Sequence, residues 1–127
     1  MIVVETSALV AIILGEPEGA TFAARLAEDP ERLVSAVSVV EAGMVTESRV
    51  GPGAGAQLDA LISTMEVVPV DHIQVRTALA AWRRFGKGHH PARLNVGDCF
   101  SYALARTSGA PLLFKGGDFS ATDITIA

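Results

Sequence analysis

Met1-Ile-Val-Val-Glu-Thr-Ser-Ala-Leu-Val10 changes character at Glu5. Ile2–Val4 is an unbroken β-branched run, as in a strand covered on both faces, whereas Ala8 to Leu14 is an apolar stretch suited to a buried helix. Thr6-Ser7 between them is a helix start. A strand that passes through one acid straight into a helix is the repeating unit of a parallel α/β sheet, and the pattern recurs along the chain. Leu33–Val34, Val67–Val70, Leu112–Phe114 and, weakly, Ile124–Ile126 read as further strands. Helix-period stretches lie at about 7–14, 18–28, 38–49, 54–65, 72–85 and 96–108, broken by Gly15, Pro17, Pro30, Gly51-Pro52 and Gly109. The expected fold is α/β: a three-layer α/β/α sandwich around a parallel sheet of short strands, formed by a single domain over residues 1–127. Gly51-Pro-Gly-Ala-Gly55 lacks a preceding strand and a following Lys-Ser/Thr, so it reads as a helix–helix turn and not a phosphate loop.

Bulk properties bound the function. Of 127 residues half are apolar, and the mean hydropathy of +0.38 is high for a soluble chain, which predicts apolar surface left over for a second copy or a partner. The run Ala8 to Leu14 is far short of the ~20 residues that span a bilayer. No basic residue precedes Arg25, unlike a secretory signal, and a cytoplasmic location is expected. The single cysteine, Cys99, excludes an internal disulfide and a thiolate zinc site, and its apolar helical setting predicts a buried packing role.

The net charge of −4 is unevenly spread. From His72 to Gly97 there is no Asp or Glu, while Arg76, Arg83, Arg84, Lys87, Arg93 and all three histidines lie there. Such segregation offers a phosphate-attracting surface on an acidic body, with Arg83, Arg84 and Lys87 as candidate RNA contacts. A solvated helix face followed by a basic loop gives the same pattern. Trp82 and Phe85 flank these cations and, at helical spacing, are expected to pack rather than to stack on bases.

The acids are more telling. Ligands of an open parallel sheet bind beyond the carboxyl ends of its strands. Glu5 follows the first strand, Glu41 begins the helix after the second, Asp98 opens the helix at 96–108, and Asp118 follows the strand Leu112–Phe114. These four therefore converge at one rim of the expected sheet. Crowded carboxylates repel one another and need compensating positive charge. Mg²⁺ or Mn²⁺ supplies it with oxygen ligands alone, and can orient water for attack on a phosphodiester. Each acid also has a structural explanation: Ser38-Val-Val-Glu41 matches a capping box, and Asn95-Val-Gly-Asp98 repeats the spacing. Glu16, Glu18, Glu28, Asp29 and Glu31 read as solvated acids at helix ends or turns, and Asp123 as a brace for the final segment.

These stretches resemble the motifs of PIN-domain nucleases, specifically toxins of the VapC family from bacterial toxin–antitoxin pairs. Met1 to Val10 is similar to that family's strand, acid, Thr-Ser and helix. Ser38-Val-Val-Glu-Ala42 resembles its second acidic motif and Leu94-Asn-Val-Gly-Asp-Cys-Phe-Ser-Tyr-Ala-Leu-Ala105 its third, the most specific of the set. Leu112-Leu-Phe-Lys-Gly-Gly-Asp-Phe119 with Thr122-Asp-Ile124 resembles its fourth. The resemblance implies Mg²⁺- or Mn²⁺-dependent endoribonuclease activity, homodimers, and a VapB-type antitoxin as inhibitor within a larger assembly. It makes Glu5 and Asp98 the chief metal ligands, Glu41 a further ligand or water-orienting base, and Asp118 the fourth member. Thr6 or Ser7 would bond the first carboxylate or act as helix caps.

Two positions depart from the family pattern: Glu5 stands where Asp is usual, and Gly117 where an acid or Asn is common. The extra methylene of Glu5 motivates a second reading, an attenuated or inactive PIN module that binds RNA or antitoxin without efficient cleavage. A small phosphatase fits less well, because no Asp-x-Asp pair follows the first strand.

Overall fold

The computed structural model describes residues 1–127. Strands β1 (Ile2–Val4), β2 (Arg32–Ser35), β3 (Glu66–Val68) and β4 (Leu112–Leu113) form one sheet. Its order is β3-β2-β1-β4 and every pairing is parallel. Six α-helices connect them: α1 (Thr6–Ile13), α2 (Gly19–Ala27), α3 (Ala36–Val50), α4 (Gly53–Ile62), α5 (His72–Phe85) and α6 (Val96–Ser108). Alternation along the strands divides the core in two. Ile2, Val4, Val34 and Leu113 pack toward Leu9, Leu26, Ala42 and Leu58 of α1–α4, while Val3, Leu33 and Leu112 pack toward Ala81, Phe85, Tyr102 and Leu104 of α5 and α6. Helices thus cover both faces, and the expected three-layer α/β/α architecture is present.

Boundaries moved where local chemistry outweighed periodicity. Helix α3 starts two residues before position 38, because the Ser35 hydroxyl accepts from Val37 N at 3.2 Å and caps it. Ser38 is therefore inside the helix, fully buried, with its hydroxyl 3.0 Å from that of Ser101, and the capping box expected at Ser38 and Glu41 does not form. Strand β3 is an exposed edge and not a doubly covered strand. The weak strand at Ile124–Ile126 is reduced to a single bridge from Ile126 to Leu112 beside β4. Gly51 closes α3 at φ 96°, a backbone state that favours glycine, and the chain enters α4 within two residues, as the helix–helix turn reading requires. Cys99 is buried, as expected.

Strand order places the site. From β1 the sheet grows through β2 to β3 on one side and to β4 on the other. The crevice at the carboxyl ends of β1 and β4 is the switch point at which open α/β sheets bind ligands.

Candidate active site

A pocket of about 440 Å³ opens at this point, and Glu5, Glu41, Asp98 and Asp118 all line it, together with Thr6, Ser7, Glu16, Arg49, Asn95 and Lys115. Each acid arrives on a different segment, and each is held by a local device.

Glu5 is itself the N-cap of α1: the Ser7 amide donates to Glu5 Oε2 at 2.7 Å, and the Ser7 hydroxyl donates to the same oxygen. Thr6 and Ser7 are thus not the caps. Their hydroxyls tie separate motifs together. Thr6 Oγ1 donates to Glu41 Oε1 at 2.8 Å, and Ser7 Oγ accepts from the Lys115 amide at 2.8 Å, in the loop after β4 that leads to Asp118. Glu41 lies in the second turn of α3. Its carboxylate rests against Gly97 of α6, and any Cβ at that position would overlap it. Asp98 belongs to a complete capping box: Asn95 Oδ1 accepts from Asp98 N at 2.9 Å, and Asp98 Oδ2 accepts from Asn95 N at 3.0 Å. That leaves Oδ1 of Asp98 without a capping bond. Asp118 is exposed and opens a short 3₁₀ turn, Asp118–Ala121, anchored by buried Phe119 against Phe114 at 5.0 Å between ring centroids.

No lysine or arginine is ion-paired with any of the four. Burial and the neighbouring charges raise the pKa of two of these acids. Burial, reinforced by the Asp98 and Glu41 charges and opposed by the Ser7 bonds, pushes Glu5 up to about 7. Burial also raises Asp98 to about 6, with Glu41 and Asp118 adding to it against the Asn95 bond.

Other expectations sort differently. Asp123 stays out of the pocket and braces the last segment, accepting from Tyr102 Oη at 2.6 Å and pairing with Arg84 at 3.3 Å. Arg83, Arg84 and Lys87 do not line the pocket; the Arg84 guanidinium lies over the Phe85 ring at 4.6 Å. Phe85 is buried, and Trp82 packs edge-on against His89. Glu16, read as a solvated turn acid, instead faces the pocket and pairs with Lys115 at 3.1 Å. Arg49 and Lys115 line the pocket and Gly97 abuts Glu41, yet composition and spacing mark none of the three as a site residue. Only the Asn-x-Gly-Asp spacing around Gly97 hinted at its place.

The PIN domain family profile matches residues 2–124. Ribonuclease VapC of Mycolicibacterium smegmatis is 48% identical over 124 residues, covering 96% of both chains. Ribonuclease VapC30 of Mycobacterium tuberculosis is 48% identical over 96% of this chain and 95% of its own. The chain belongs to the VapC ribonucleases of the PIN-domain family. Solved VapC structures share its fold. VapC20 of Mycobacterium tuberculosis, a toxin that cleaves the Sarcin-Ricin loop, aligns with a TM-score of 0.84 at 23% identity over 100% of this chain and 98% of its own. VapBC2 from Rickettsia felis, bound to a promoter DNA fragment, aligns with a TM-score of 0.78 at 14% identity over 100% and 98%.

This VapC-family site gives a pH prediction. Folding raises the pKa of Glu5 and Asp98, so the stability linked to them is complete below the ordinary carboxylate range and is lost as pH rises through about 6 and about 7. For Glu5 a shift from 4.5 to about 7 corresponds to about 3 kcal/mol at most. In EDTA the melting temperature should fall between pH 5 and pH 8, and Glu5→Gln should flatten the decline. An equally steep decline in that variant would remove Glu5 as its source.

Proposed function

We propose that this VapC-family chain is an endoribonuclease toxin that hydrolyses RNA phosphodiesters with Mg²⁺ or Mn²⁺, and that a VapB-type antitoxin restrains it. The observation that carries this reading is the convergence of four carboxylates from four segments on one pocket, with no cation paired to them. The donor set suits such an ion: it is all oxygen, and it carries raised carboxylate pKa values that a divalent cation would relieve. No three of these side chains stand close enough together to hold an ion by themselves. The proposed ion is therefore held through one or two carboxylates, with waters completing its shell.

Glu5 and Asp98 are the proposed ligands, since both are oriented by backbone amides through one oxygen. A bound divalent ion supplies charge neutralisation at the phosphodiester and a lowered pKa for water. Glu41, steadied by Thr6, orients the attacking water and accepts its proton, and Asp118 completes the acidic rim. The Ser7 amide and hydroxyl fix the orientation of the Glu5 carboxylate at the pocket, which supports a competent enzyme over the attenuated reading. Arg83, Arg84 and Lys87 remain proposed RNA contacts on the outer face of α5 and its following loop.

The partners are proposed on the same footing. A toxin–antitoxin complex from Klebsiella pneumoniae shares the fold, with a TM-score of 0.78. Exposed Val40, Met44 and Val50 on α3, and an apolar groove of Val75, Leu79, Trp82, Val96 and Phe100 between α5 and α6, supply surface for a second copy and an antitoxin helix. A homodimer inside a larger toxin–antitoxin assembly is proposed. No helix is long and apolar enough to cross a membrane, and a cytoplasmic location is proposed.

Purified protein should cleave RNA in Mg²⁺ or Mn²⁺ and leave it intact in EDTA; RNA untouched in both metals would refute the enzyme reading. Glu5→Asp is expected to change the rate by less than about tenfold. A gain of about 100-fold, the cost of an ~1 Å misplacement, would instead favour the attenuated module.

A further inference from the structure

The pocket holds two cations, Arg49 from the last turn of α3 and Lys115 from the loop after β4. Neither is paired with the four site carboxylates. Both are held by Glu16, from the turn after α1: Lys115 Nζ is 3.1 Å from Glu16 Oε1, and Arg49 is 3.9 Å from Glu16 Oε2. Glu18 takes a second contact to Lys115 at 3.1 Å. The Lys115 backbone is meanwhile fixed to Ser7, the residue that orients Glu5. A cation is thus registered to the acidic centre through its main chain, while its side chain is free to exchange partners.

A polyanionic strand entering this pocket meets four carboxylates, and phosphate contacts from Lys and Arg dominate the affinity of nucleic-acid binding. Exposed ion pairs contribute little to stability, so exchanging Glu16 for a phosphate costs little. We propose that Arg49 and Lys115 bind backbone phosphates of the RNA strand flanking the cleaved bond, and that Glu16 is a built-in competitor which the strand displaces. This rests on the ribonuclease reading above. It also separates two basic surfaces: Arg49 and Lys115 face the reacting bond, whereas Arg83, Arg84 and Lys87 lie outside the pocket.

The test is binding of a fluorescent single-stranded RNA oligonucleotide in EDTA, followed by anisotropy across a salt series, with cleavage of the same RNA in Mn²⁺ as a parallel readout. Arg49→Gln and Lys115→Gln should each weaken binding about five- to tenfold and lower the salt slope by about 0.7. Glu16→Gln should tighten binding several-fold. The opposite signs exclude a merely structural role, because all three changes break the same ionic cluster and such a role would move them together, and the lowered salt slope marks loss of a phosphate contact. Three variants that bind like wild type, or that all weaken alike while wild type cleaves RNA, would overturn the proposal and leave the ribonuclease reading standing. A wild-type protein that neither cleaves nor binds the RNA would overturn both.

Discussion

Asp98→Asn is expected to lower RNA cleavage by about 100-fold or more while the protein stays folded. Asp98 does two things at once. Through Oδ2 it accepts from Asn95 N and closes the capping box of α6, and an amide oxygen can do the same. Through its charge it is a proposed metal ligand, which an amide cannot replace; loss even of residues that merely support a metal ligand costs about 10- to 100-fold. The stability change has a definite sign. Burial raises the Asp98 pKa to about 6, so its ionised form opposes folding at pH 8. In EDTA at that pH the variant should melt at the same temperature as wild type or a few degrees higher. Loss of activity accompanied by a large drop in melting temperature would instead assign Asp98 mainly to the helix start.

Gly97→Ala should be nearly as damaging, although position 97 carries no functional group. A Cβ there overlaps the Glu41 carboxylate, which Thr6 holds in place. The flexible end of Glu41 must yield, so the fold tolerates the change, and replacing a helical glycine by alanine offsets part of the cost by up to ~1 kcal/mol. A carboxylate moved by ~1 Å is expected to cost about 100-fold in cleavage rate. Kinetics and thermal melting of the one variant check both halves. Full activity would show that the position of Glu41 does not matter to the reaction.

Much of this was legible in the sequence because it is local. Ile2–Val4 followed by Glu5 and an apolar helix announces a buried parallel strand and its outgoing helix in ten residues, and Asn95-Val-Gly-Asp98 announces a capped helix in four. For Glu5, Glu41 and Asp118 the convergence followed from topology, since a parallel sheet delivers every strand's carboxyl end to one rim; Asp98 instead arrives on α6, which follows α5 and a loop and not a strand. What failed was long-range or side-chain specific. Ser38 looks like a cap by spacing, but its hydroxyl finds Ser101 across the core while Ser35 takes the cap. Glu16 looks solvated by composition, yet its partner Lys115 is 99 positions away, so no window along the chain contains the pair. The hydroxyls of Thr6 and Ser7 look like caps. They serve as ties between motifs because the Glu5 carboxylate caps the helix itself. Those ties make the pocket a single unit, and they explain how an unusual glutamate sits in it without disrupting the helix it precedes.

The most direct measurement is a calorimetric titration of the purified protein with Mn²⁺ at pH 7.5, alongside Asp98→Asn. The four-carboxylate pocket predicts saturable binding to wild type that releases protons, because Glu5 with a pKa of about 7 must ionise to serve as a ligand. It predicts at least tenfold weaker binding by the variant. Mn²⁺ that fails to bind wild type, or binds both proteins equally, would contradict a metal site built on Glu5 and Asp98.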